Sequence, residues 1–309
     1  MSKGYAIGVD GGGTKTLTHL ANLSGRVLNS CRFGPSNYYA VGRHETLKVF
    51  KDMLAYYQRE NGLDLEQLRF ISLGIAGVDR EIDKKTIHDM LKGLGLKCDI
   101  YVYNDATTGL VGALEKTEGV GVVSGTGSIA VGMKKGKWVR AGGWGHILGD
   151  EGSGYGMGMQ ALKTMMQAYD GRLNRTKLTD RILYHLKLDS PEDLIGFVHD
   201  PKVDKKRIAE LAPVIAATSD EGDDAAAHIL EEASVKLFEL AKAVIDSLYN
   251  KEEVFELVLL GGIMTQMDQI REPLSQRILE AYPKVMIKKP AQDGAIGALY
   301  LGWEQQKGL

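Results

Sequence analysis

Short apolar runs alternate with longer amphipathic segments in an order that occurs twice along the chain. In the first third, apolar runs at 5–9, 17–23 and 25–32 predict three β-strands that form a meander. An amphipathic helix is predicted from about residue 44 to 60. The remaining elements of this part are a strand at 70–75, a helix near 82–94, a strand at 100–103 and a helix from about 106 to 114. The predicted order is βββαβαβα.

The second part of the chain repeats this order around a long helical block. Strands are predicted at 120–123, 129–134 and 137–141, followed by helical sequence from about 155 to 249. The repeat is completed by a strand at 255–260, a helix at 269–281, a strand at 284–288 and a final helix from about 293 to 305. We interpret the helical block as an insertion.

Three sequence echoes support two similar domains. The stretch GVDGGGTKT is echoed by GVVSGTGSI, SLGIAG by VLLGGI, and NDATTGLVGAL by AQDGAIGAL, each at the matching point of its repeat. The sequence therefore predicts an α/β protein with an N-terminal domain over 1–118 and a C-terminal domain over 119–309. The second domain would carry the insertion at about 155–250, and the last helix could pack back on the first domain.

The glycine turns that follow the first strand of each repeat are suited to binding phosphate. Glycine lets backbone N–H groups approach an anion closely, and the hydroxyls of Thr14 and Thr126 add donors. Asp10 stands directly before the first turn and would repel phosphate unless a cation lies between them. Mg²⁺ bridges carboxylate and phosphate oxygens, so a metal–nucleotide ligand explains the aspartate. The alternative is a structural turn with a capping carboxylate.

Two other nucleotide-binding patterns were compared with these turns. The P-loop pattern G-x-x-x-x-G-K-[ST] is absent from the chain. The stretch GTGSIA at 125–130 matches the dinucleotide fingerprint, but that fingerprint requires a helix immediately afterwards. The following VGMKKGKWVRAGG predicts a strand, a turn and another strand, which argues against a Rossmann fold.

Asn104 and Asp105 follow an apolar strand and begin a helix. Ligands of open α/β sheets bind at the carboxyl ends of the strands, so Asp105 is well placed to accept a proton from a hydroxyl during phosphoryl transfer. A helix N-cap is an equally good explanation from spacing alone.

Three further places are candidate ligand contacts. Trp144 and Asp150 lie in the glycine-rich run 141–158 and offer the apolar face and the acceptor that a sugar needs, although Trp144 could be a core residue and Asp150 could cap a helix. Asn37 lies in the loop GPSNYYAVG, where it could equally be a turn residue. Gly261 and Gly262 end a strand and could let adenine lie against the backbone, or could simply form a packing turn.

Composition narrows the functional classes. The chain has 309 residues, a formal net charge of −2 and no basic patch, which argues against nucleic-acid binding. Neither a signal peptide nor a run of apolar residues long enough to span a bilayer is apparent. Two cysteines, Cys31 and Cys98, with no CxxC pair fit a reducing cytoplasm and argue against a cysteine-built metal site within one chain. We expect a cytoplasmic protein that acts on a small molecule.

Taken together, the motifs DGGGTK, SN, NDA, SGTGS, GGWGHILGDEGSG and LGG resemble the N-acetylglucosamine kinase and BadF/BadG-type ATPase family. This family belongs to the superfamily of acetate and sugar kinases, heat-shock chaperones and actin. The resemblance implies two ribonuclease-H-like (actin-like ATPase) domains that face each other across a cleft and close around Mg·ATP and a sugar. It also implies phosphorylation of the 6-hydroxyl of N-acetylglucosamine or a close relative, glucosamine or N-acetylmuramic acid, by a homodimer.

The resemblance assigns roles to individual positions. It makes Asp10 the metal ligand and Asp105 the catalytic base. Lys15 matches a position that is often basic in the family. The phosphates and adenosine would be contacted by Gly12, Gly13, Thr14, Thr126, Gly261 and Gly262. The sugar pocket would be lined by Asn37, Asn104, Asp105, Gly127, Ser128, Gly143, Trp144 and Asp150.

Two alternative functions come from the same superfamily. Activator ATPases of acyl-CoA dehydratases and reductases resemble this chain in the phosphate loops, but they hold an iron–sulfur cluster through cysteines at a dimer interface. Cys31 and Cys98 do not match that pattern. Sugar-kinase-like repressors carry an additional DNA-binding segment, and the first predicted strand already begins at residue 5.

Overall fold

A computed structural model describes residues 4–307, and the outermost ends of the two predicted domains, 1–3 and 308–309, lie outside it. The chain divides into two compact units. Unit 1 comprises the chain up to Gly119, the short segment Lys134–Gly136 and the residues from Lys289 onward. Unit 2 comprises Val120–Met133 and Lys137–Lys288. The chain therefore returns to unit 1 after unit 2 has been completed.

Each unit contains a five-stranded sheet within the described residues. The strands of unit 1 are β1 (Tyr5–Gly11), β2 (Thr16–Asn22), β3 (Val27–Phe33), β4 (Leu68–Ile75) and β5 (Asp99–Tyr103). Those of the other sheet are β6 (Gly119–Ser124), β7 (Ser128–Lys134), β8 (Lys137–Gly142), β9 (Phe255–Leu260) and β10 (Val285–Lys288). The strand orders are β3-β2-β1-β4-β5 and, written in the matching direction, β8-β7-β6-β9-β10. The first, second, third, fourth and fifth strands of each repeat therefore occupy equivalent places in the two sheets. This confirms the predicted fold class of two similar α/β halves.

The register also matches between the sheets. β1 pairs in parallel with β4, and Asp10 lies opposite Gly74. β6 pairs in parallel with β9, and Val123 lies opposite Leu260. Asp10 and Val123 thus occupy matching positions of the two copies, as the echo of GVDGGGTKT by GVVSGTGSI predicts.

The helices of unit 1 cover its sheet. They are α1 (Tyr38–Asn61), α2 (Glu81–Lys92), α3 (Asp105–Leu114) and, from the end of the chain, α12 (Gly294–Lys307). Phe50, Met53, Leu54 and Tyr57 of α1 are buried in the core, as their helical spacing predicts. α1 begins six residues earlier than expected, because a separate turn at 38–41 precedes a kink at Gly42.

α12 packs on α3, β1 and β4. The two helices meet at glycines: a Cβ at Gly297 would lie 1.9 Å from the carbonyl oxygen of Thr108, and one at Gly112 would lie 2.1 Å from that of Asp293. Only glycine permits this backbone-to-backbone approach. The contact brings the start of α12 to the carboxyl end of β1.

The predicted helical insertion is built of α4 (Gly154–Tyr169), α5 (Lys177–Leu186), α6 (Leu194–His199), α7 (Lys205–Ala209), α8 (Ala212–Asp220) and α9 (Asp224–Leu248). α10 (Gly262–Gln266) and α11 (Asp268–Ala281) follow β9. α10 was not predicted, because it is only five residues long. Over residues 4–307 no helix has the length and apolar character to cross a membrane.

Candidate active site

The turn between β1 and β2 is tight and exposed. The Gly12 N–H donates to the Lys15 carbonyl oxygen at 2.9 Å, which leaves Gly13 and Thr14 at the tip. Gly13, Thr14 and Lys15 are all exposed to solvent. Their backbone amides, the Thr14 hydroxyl and the Lys15 ammonium group are therefore accessible to an anionic ligand.

Asp10 ends β1 beside this turn and lies against the start of α12. A Cβ at Gly294 would be 2.9–3.2 Å from the Asp10 carboxyl atoms, so the carboxylate faces the first residue of that helix. The pKa of Asp10 is raised to about 6, chiefly by burial and also by the negative charge of Asp293, whereas Lys15 and His19 oppose the shift. A carboxylate in this position is stabilised by any cation that approaches it.

His19 and Asp293 are in hydrogen-bond contact, which the sequence did not reveal. His19 Nε2 lies 2.9 Å from Asp293 Oδ2, and His19 Nδ1 lies 2.7 Å from Ser30 Oγ. Burial raises the pKa of Asp293, but the hydrogen bonds from His19 and from the Ile296 N–H hold it below its usual range overall. The available signal was an aspartate at the start of the last predicted helix.

Asp105 is the first residue of α3. Asn104 is the N-cap, and its Oδ1 accepts from the Ala106 N–H at 2.8 Å. Burial raises the pKa of Asp105 to about 7, and the negative charges of Asp10 and Asp79 add to the shift. The capping role therefore falls mainly to Asn104, and Asp105 has the elevated pKa that a proton acceptor near neutral pH needs. Asp79 was missed because nothing in the sequence relates the loop after β4 to Asp105.

Asn37 lies next to the first glycine turn. The N–H groups of Ser36 and Asn37 donate to the Gly12 carbonyl oxygen at 3.1 and 3.2 Å. Asn37 is also the N-cap of α1, since its Oδ1 accepts from the Tyr39 N–H at 3.1 Å. Asn37 can act as a cap and still bind a ligand, because the cap uses its side-chain oxygen and not its side-chain NH₂.

The second glycine turn, in unit 2, is joined to the start of α4. Asp150 Oδ1 accepts from the Ser128 N–H at 3.1 Å, and a Cβ at Gly127 would lie 2.6 Å from the same oxygen. Asp150 has a positive φ of 66° and is only 4% exposed, while its Oδ2 has no hydrogen-bond partner in the protein. The N-cap of α4 is Ser153 and not Asp150. A buried carboxylate oxygen without a partner is an acceptor for a ligand hydroxyl.

Gly261 and Gly262 lie against this second turn. Gly261 has a φ of 96°, and a Cβ there would be 2.2 Å from the Ser124 carbonyl oxygen. A Cβ at Gly125 would be 3.9 Å from the Gly262 N–H nitrogen. The predicted adenosine and phosphate positions Thr126, Gly261 and Gly262 therefore belong to one cluster in unit 2.

Trp144 is exposed rather than a core residue. Its ring is 61% exposed, and the Arg140 guanidinium carbon lies 3.9 Å from the ring centroid. Gly143 has a positive φ of 71° and is tied to the second turn, because its N–H donates to the Ser128 carbonyl oxygen at 3.0 Å. The loop that presents Trp144 is thus anchored beside Gly127 and Asp150.

The predicted residues form two clusters, one in each unit. Unit 1 holds the first turn with Asp10, Asn37, Asn104 and Asp105. Unit 2 holds the second turn with Asp150, Gly143, Trp144 and the glycine pair at 261–262. Within residues 4–307 no group of three or more His, Cys, Asp or Glu side chains could form a metal cage. A single carboxylate beside an exposed glycine turn fits Mg²⁺, which is usually held by one or two carboxylates together with substrate phosphates.

The chain is similar to known proteins over nearly its whole length. The chain is 39% identical to the N-acetylmuramic acid/N-acetylglucosamine kinase of Clostridium acetobutylicum, with 96% of this chain and 97% of the relative covered. It is 35% identical to the N-acetyl-D-glucosamine kinase of Dictyostelium discoideum, with 99% and 100% covered. Its structure resembles that of a Chromobacterium violaceum protein proposed to be an N-acetylglucosamine kinase, at 27% identity and a TM-score of 0.79 over 97% and 99% of the chains.

The paired sheets and glycine turns define the class of actin-like ATPase folds to which sugar kinases belong. The profile of the BadF/BadG/BcrA/BcrD ATPase family matches residues 7–302. The chain belongs to this family, which confirms the resemblance drawn from its motifs.

Proposed function

We propose that this protein is an ATP-dependent amino-sugar kinase that phosphorylates the 6-hydroxyl of N-acetylglucosamine or a close relative, glucosamine or N-acetylmuramic acid. The observation that carries the proposal is Asp105, a carboxylate with a raised pKa of about 7 at the carboxyl end of β5. It lies in the same unit as a glycine turn with exposed amides. The kinase relatives, aligned over nearly the full chain, support the same activity.

Asp105 would accept the proton of the attacking hydroxyl. Phosphoryl transfer depends chiefly on positioning and on neutralising phosphate charge, with one carboxylate receiving the hydroxyl proton. A pKa of about 7 lets Asp105 exist in both protonation states near neutral pH, which is the optimum for a general base. Asp105 Oδ1 accepts from the Ala106 N–H at 3.0 Å, and this bond orients the carboxylate.

ATP would be held by backbone and hydroxyl donors. In this proposal Gly12, Gly13, Thr14 and Lys15 contact phosphate from unit 1, and Thr126, Gly261 and Gly262 contact the nucleotide from unit 2. Asp10 would hold Mg²⁺, directly or through water. When bound, the metal supplies positive charge that offsets the charge of the phosphates and of Asp10 itself.

The sugar would be recognised by side chains that can accept or donate at its hydroxyls. Asn37 and Asn104 offer amides from unit 1. Asp150 Oδ2, Gly127, Ser128 and Gly143 offer polar atoms from unit 2, and the exposed ring of Trp144 offers an apolar face. A cytoplasmic location and a homodimer complete the proposal.

The activator ATPase is disfavoured by the cysteines. Cys98 is buried and Cys31 is partly buried within β3, so neither is an exposed thiolate ready to bind a shared cluster. Burial also raises the pKa of Cys98 to about 11, which opposes formation of the thiolate that a cluster needs.

A coupled ADP-release assay against a panel of amino sugars tests the proposal, with ATP alone as the control. We expect sugar-dependent turnover with at least one of N-acetylglucosamine, glucosamine and N-acetylmuramic acid. The 6-deoxy analogue of the preferred sugar is a matched control that should bind without being phosphorylated. Sugar-independent ATP hydrolysis at the same rate would reject the kinase proposal, and turnover of the 6-deoxy sugar would reject the 6-hydroxyl as acceptor.

A further inference from the structure

The segment that carries Asn37 is fixed to unit 1 at two separate places. The inner attachment is to the first glycine turn, through the N–H groups of Ser36 and Asn37 and the carbonyl oxygen of Gly12. The Thr16 hydroxyl adds a bond to Ser36 Oγ at 2.8 Å, and Ser36 is fully buried. This attachment joins the segment to the proposed phosphate-binding turn.

The outer attachment is a buried carboxylate. Asp83 Oδ1 accepts from the hydroxyls of Tyr38 at 2.6 Å and Tyr39 at 2.7 Å. Asp83 Oδ2 accepts from Arg80 Nε at 2.9 Å and from the Arg80 N–H at 3.2 Å. Asp83 is only 2% exposed, and a buried charge is tolerated only when it is paired and hydrogen-bonded. These four residues are called the Asp83 network below.

A kink separates this segment from the rest of α1. Residues 38–41 form a turn of their own, because Gly42 has non-helical angles of φ 81° and ψ 160° and interrupts α1. The regular hydrogen-bond ladder of α1 therefore starts only after Gly42. Beyond the bond from the Thr46 hydroxyl to the Ser36 carbonyl oxygen at 3.5 Å, the turn is held by the two tyrosine hydroxyls that reach Asp83.

The Asp83 network also holds the loop after β4 against Asn37. A Cβ at Gly77 would lie 3.4 Å from Asn37 Oδ1 and 3.4 Å from Tyr39 Cδ2, so the loop and the turn are in contact. Arg80 ends the same loop and is bound to Asp83. Asp79 lies between Gly77 and Arg80 in this loop, and its charge contributes to the raised pKa of Asp105. The network thus fixes Asn37 relative to a loop that is electrostatically coupled to the proposed base.

We propose that Tyr38, Tyr39, Arg80 and Asp83 are positioning residues that hold the Asn37 side chain for sugar binding. This inference rests on the proposed function. The inner attachment through Ser36 and Thr16 holds the glycine turn independently, so loss of the outer attachment should affect the sugar and leave the nucleotide unaffected.

The double variant Tyr38→Phe/Tyr39→Phe tests the inference. It removes two hydroxyls and keeps the Asp83–Arg80 bonds that cap α2, so a role limited to capping α2 would be untouched. We expect the sugar KM to rise by roughly 10-fold, with kcat and the ATP KM changed by less than about 2-fold. Tyr56→Phe in the same helix is the matched control, because its hydroxyl lies 3.5 Å from Asn29 and outside the network.

Hydrogen exchange of the protein without ligands provides a readout that needs no activity. We expect faster amide exchange over residues 37–41 in the double variant and unchanged exchange over residues 12–16. An unchanged sugar KM, or an equal rise in the sugar KM and the ATP KM, would overturn the inference. If the double variant does not fold, Tyr39→Phe alone is measured, since Tyr39 is 57% exposed and its ring can stay in place.

Failure of the proposed function is seen separately from failure of this inference. A parent protein that phosphorylates no sugar of the panel contradicts the proposed function before any variant is made. A parent protein that is active, with a double variant of normal sugar KM, contradicts only the positioning role.

Discussion

The two halves of this protein share one sheet order and one register but differ in what surrounds their glycine turns. In unit 1 the turn after β1 lies beside Asp10. The negative charge of Asp293 contributes to the raised pKa of Asp10, and the charge of Asp10 contributes to the raised pKa of Asp105. In unit 2 the matching position is Val123, and the carboxylate of Asp150 accepts a hydrogen bond from the Ser128 N–H of the second turn. The comparison teaches that the repeat provides two glycine turns of one kind, while the carboxylates with raised pKa values, Asp10 and Asp105, belong to unit 1, where we propose the proton and metal chemistry.

The largest expected effect comes from removing the proposed proton acceptor of unit 1. Asp105→Asn should lower kcat by roughly 10²-fold or more, because the amide cannot accept the hydroxyl proton. The sugar Kd, measured by calorimetry, should change little, since the side chain keeps its size. Asp150→Asn is the comparison variant in unit 2 and should mainly raise the sugar KM. Near-normal turnover by the Asp105 variant would remove it as the base.

The next prediction concerns the backbone of unit 2. Gly261→Ala should lower the free energy of unfolding by about 2–4 kcal/mol, because it combines a positive φ with a clash against the Ser124 carbonyl oxygen. Gly262→Ala is the matched control, since no atom lies within 4 Å of its Cβ position and it is the first residue of a helix. Urea unfolding of the two variants measures the difference. Equal stability of the two variants would contradict this reading of the turn.

A third prediction uses the raised pKa values of unit 1. Asp10 and Asp105 titrate near 6 and 7 in the folded protein, above their usual value of 3.8, so folding favours their protonated forms. Their contribution to stability is therefore fully present below about pH 4 and is lost as the pH rises to about 7. Asp105→Asn should consequently be more stable than the parent protein at pH 8, by about 1–3 kcal/mol, and nearly equal to it at pH 4.

Thermal unfolding of Asp105→Asn and of the parent protein, without nucleotide or metal, tests this difference in stability at pH 4 and pH 8. A stability difference that does not change with pH would show that Asp105 ionises normally in the folded protein. The pH dependence of kcat/KM provides a second check, because activity should rise with pH through about 7 as Asp105 loses its proton.

The smallest expected effect concerns the exposed loop of unit 2. Trp144→Ala should raise the sugar KM by roughly 3- to 10-fold and leave the ATP KM unchanged, because it removes an apolar face for the sugar ring. Leu148→Ala is the control on the same loop, where the side chain is 75% exposed. Equal effects of the two variants would remove Trp144 from the sugar site.

Much of the fold was predictable from the sequence, because the repeat can be recognised from short stretches of consecutive residues. Apolar runs defined the strands, and the echo of NDATTGLVGAL by AQDGAIGAL marked α3 and α12. The sequence could not show that these two helices pack on each other through Gly112 and Gly297, because that contact joins distant parts of the chain. α10 escaped prediction because five residues are too few for a helical period to be recognised.

The candidate site was less predictable than the fold. Single residues beside glycine turns, such as Asp10 and Asp105, could be selected because their positions follow from strand ends. His19 and Asp293 are 274 residues apart, and only the folded chain brings them into contact. Asp83 resembles an ordinary helix-capping residue in the sequence, and its bonds to Tyr38 and Tyr39 depend on how the turn before Gly42 folds.

The position of α12 has a consequence for how the protein is made. A ribosome synthesises β1 and Asp10 first, but the helix start that faces this carboxylate is translated only after the whole of unit 2 has emerged. Unit 1 therefore cannot finish folding as an independent N-terminal segment, although domains commonly fold in order during synthesis. A truncated nascent chain would lack the helix start that faces Asp10, so incomplete copies should lack part of the proposed nucleotide site.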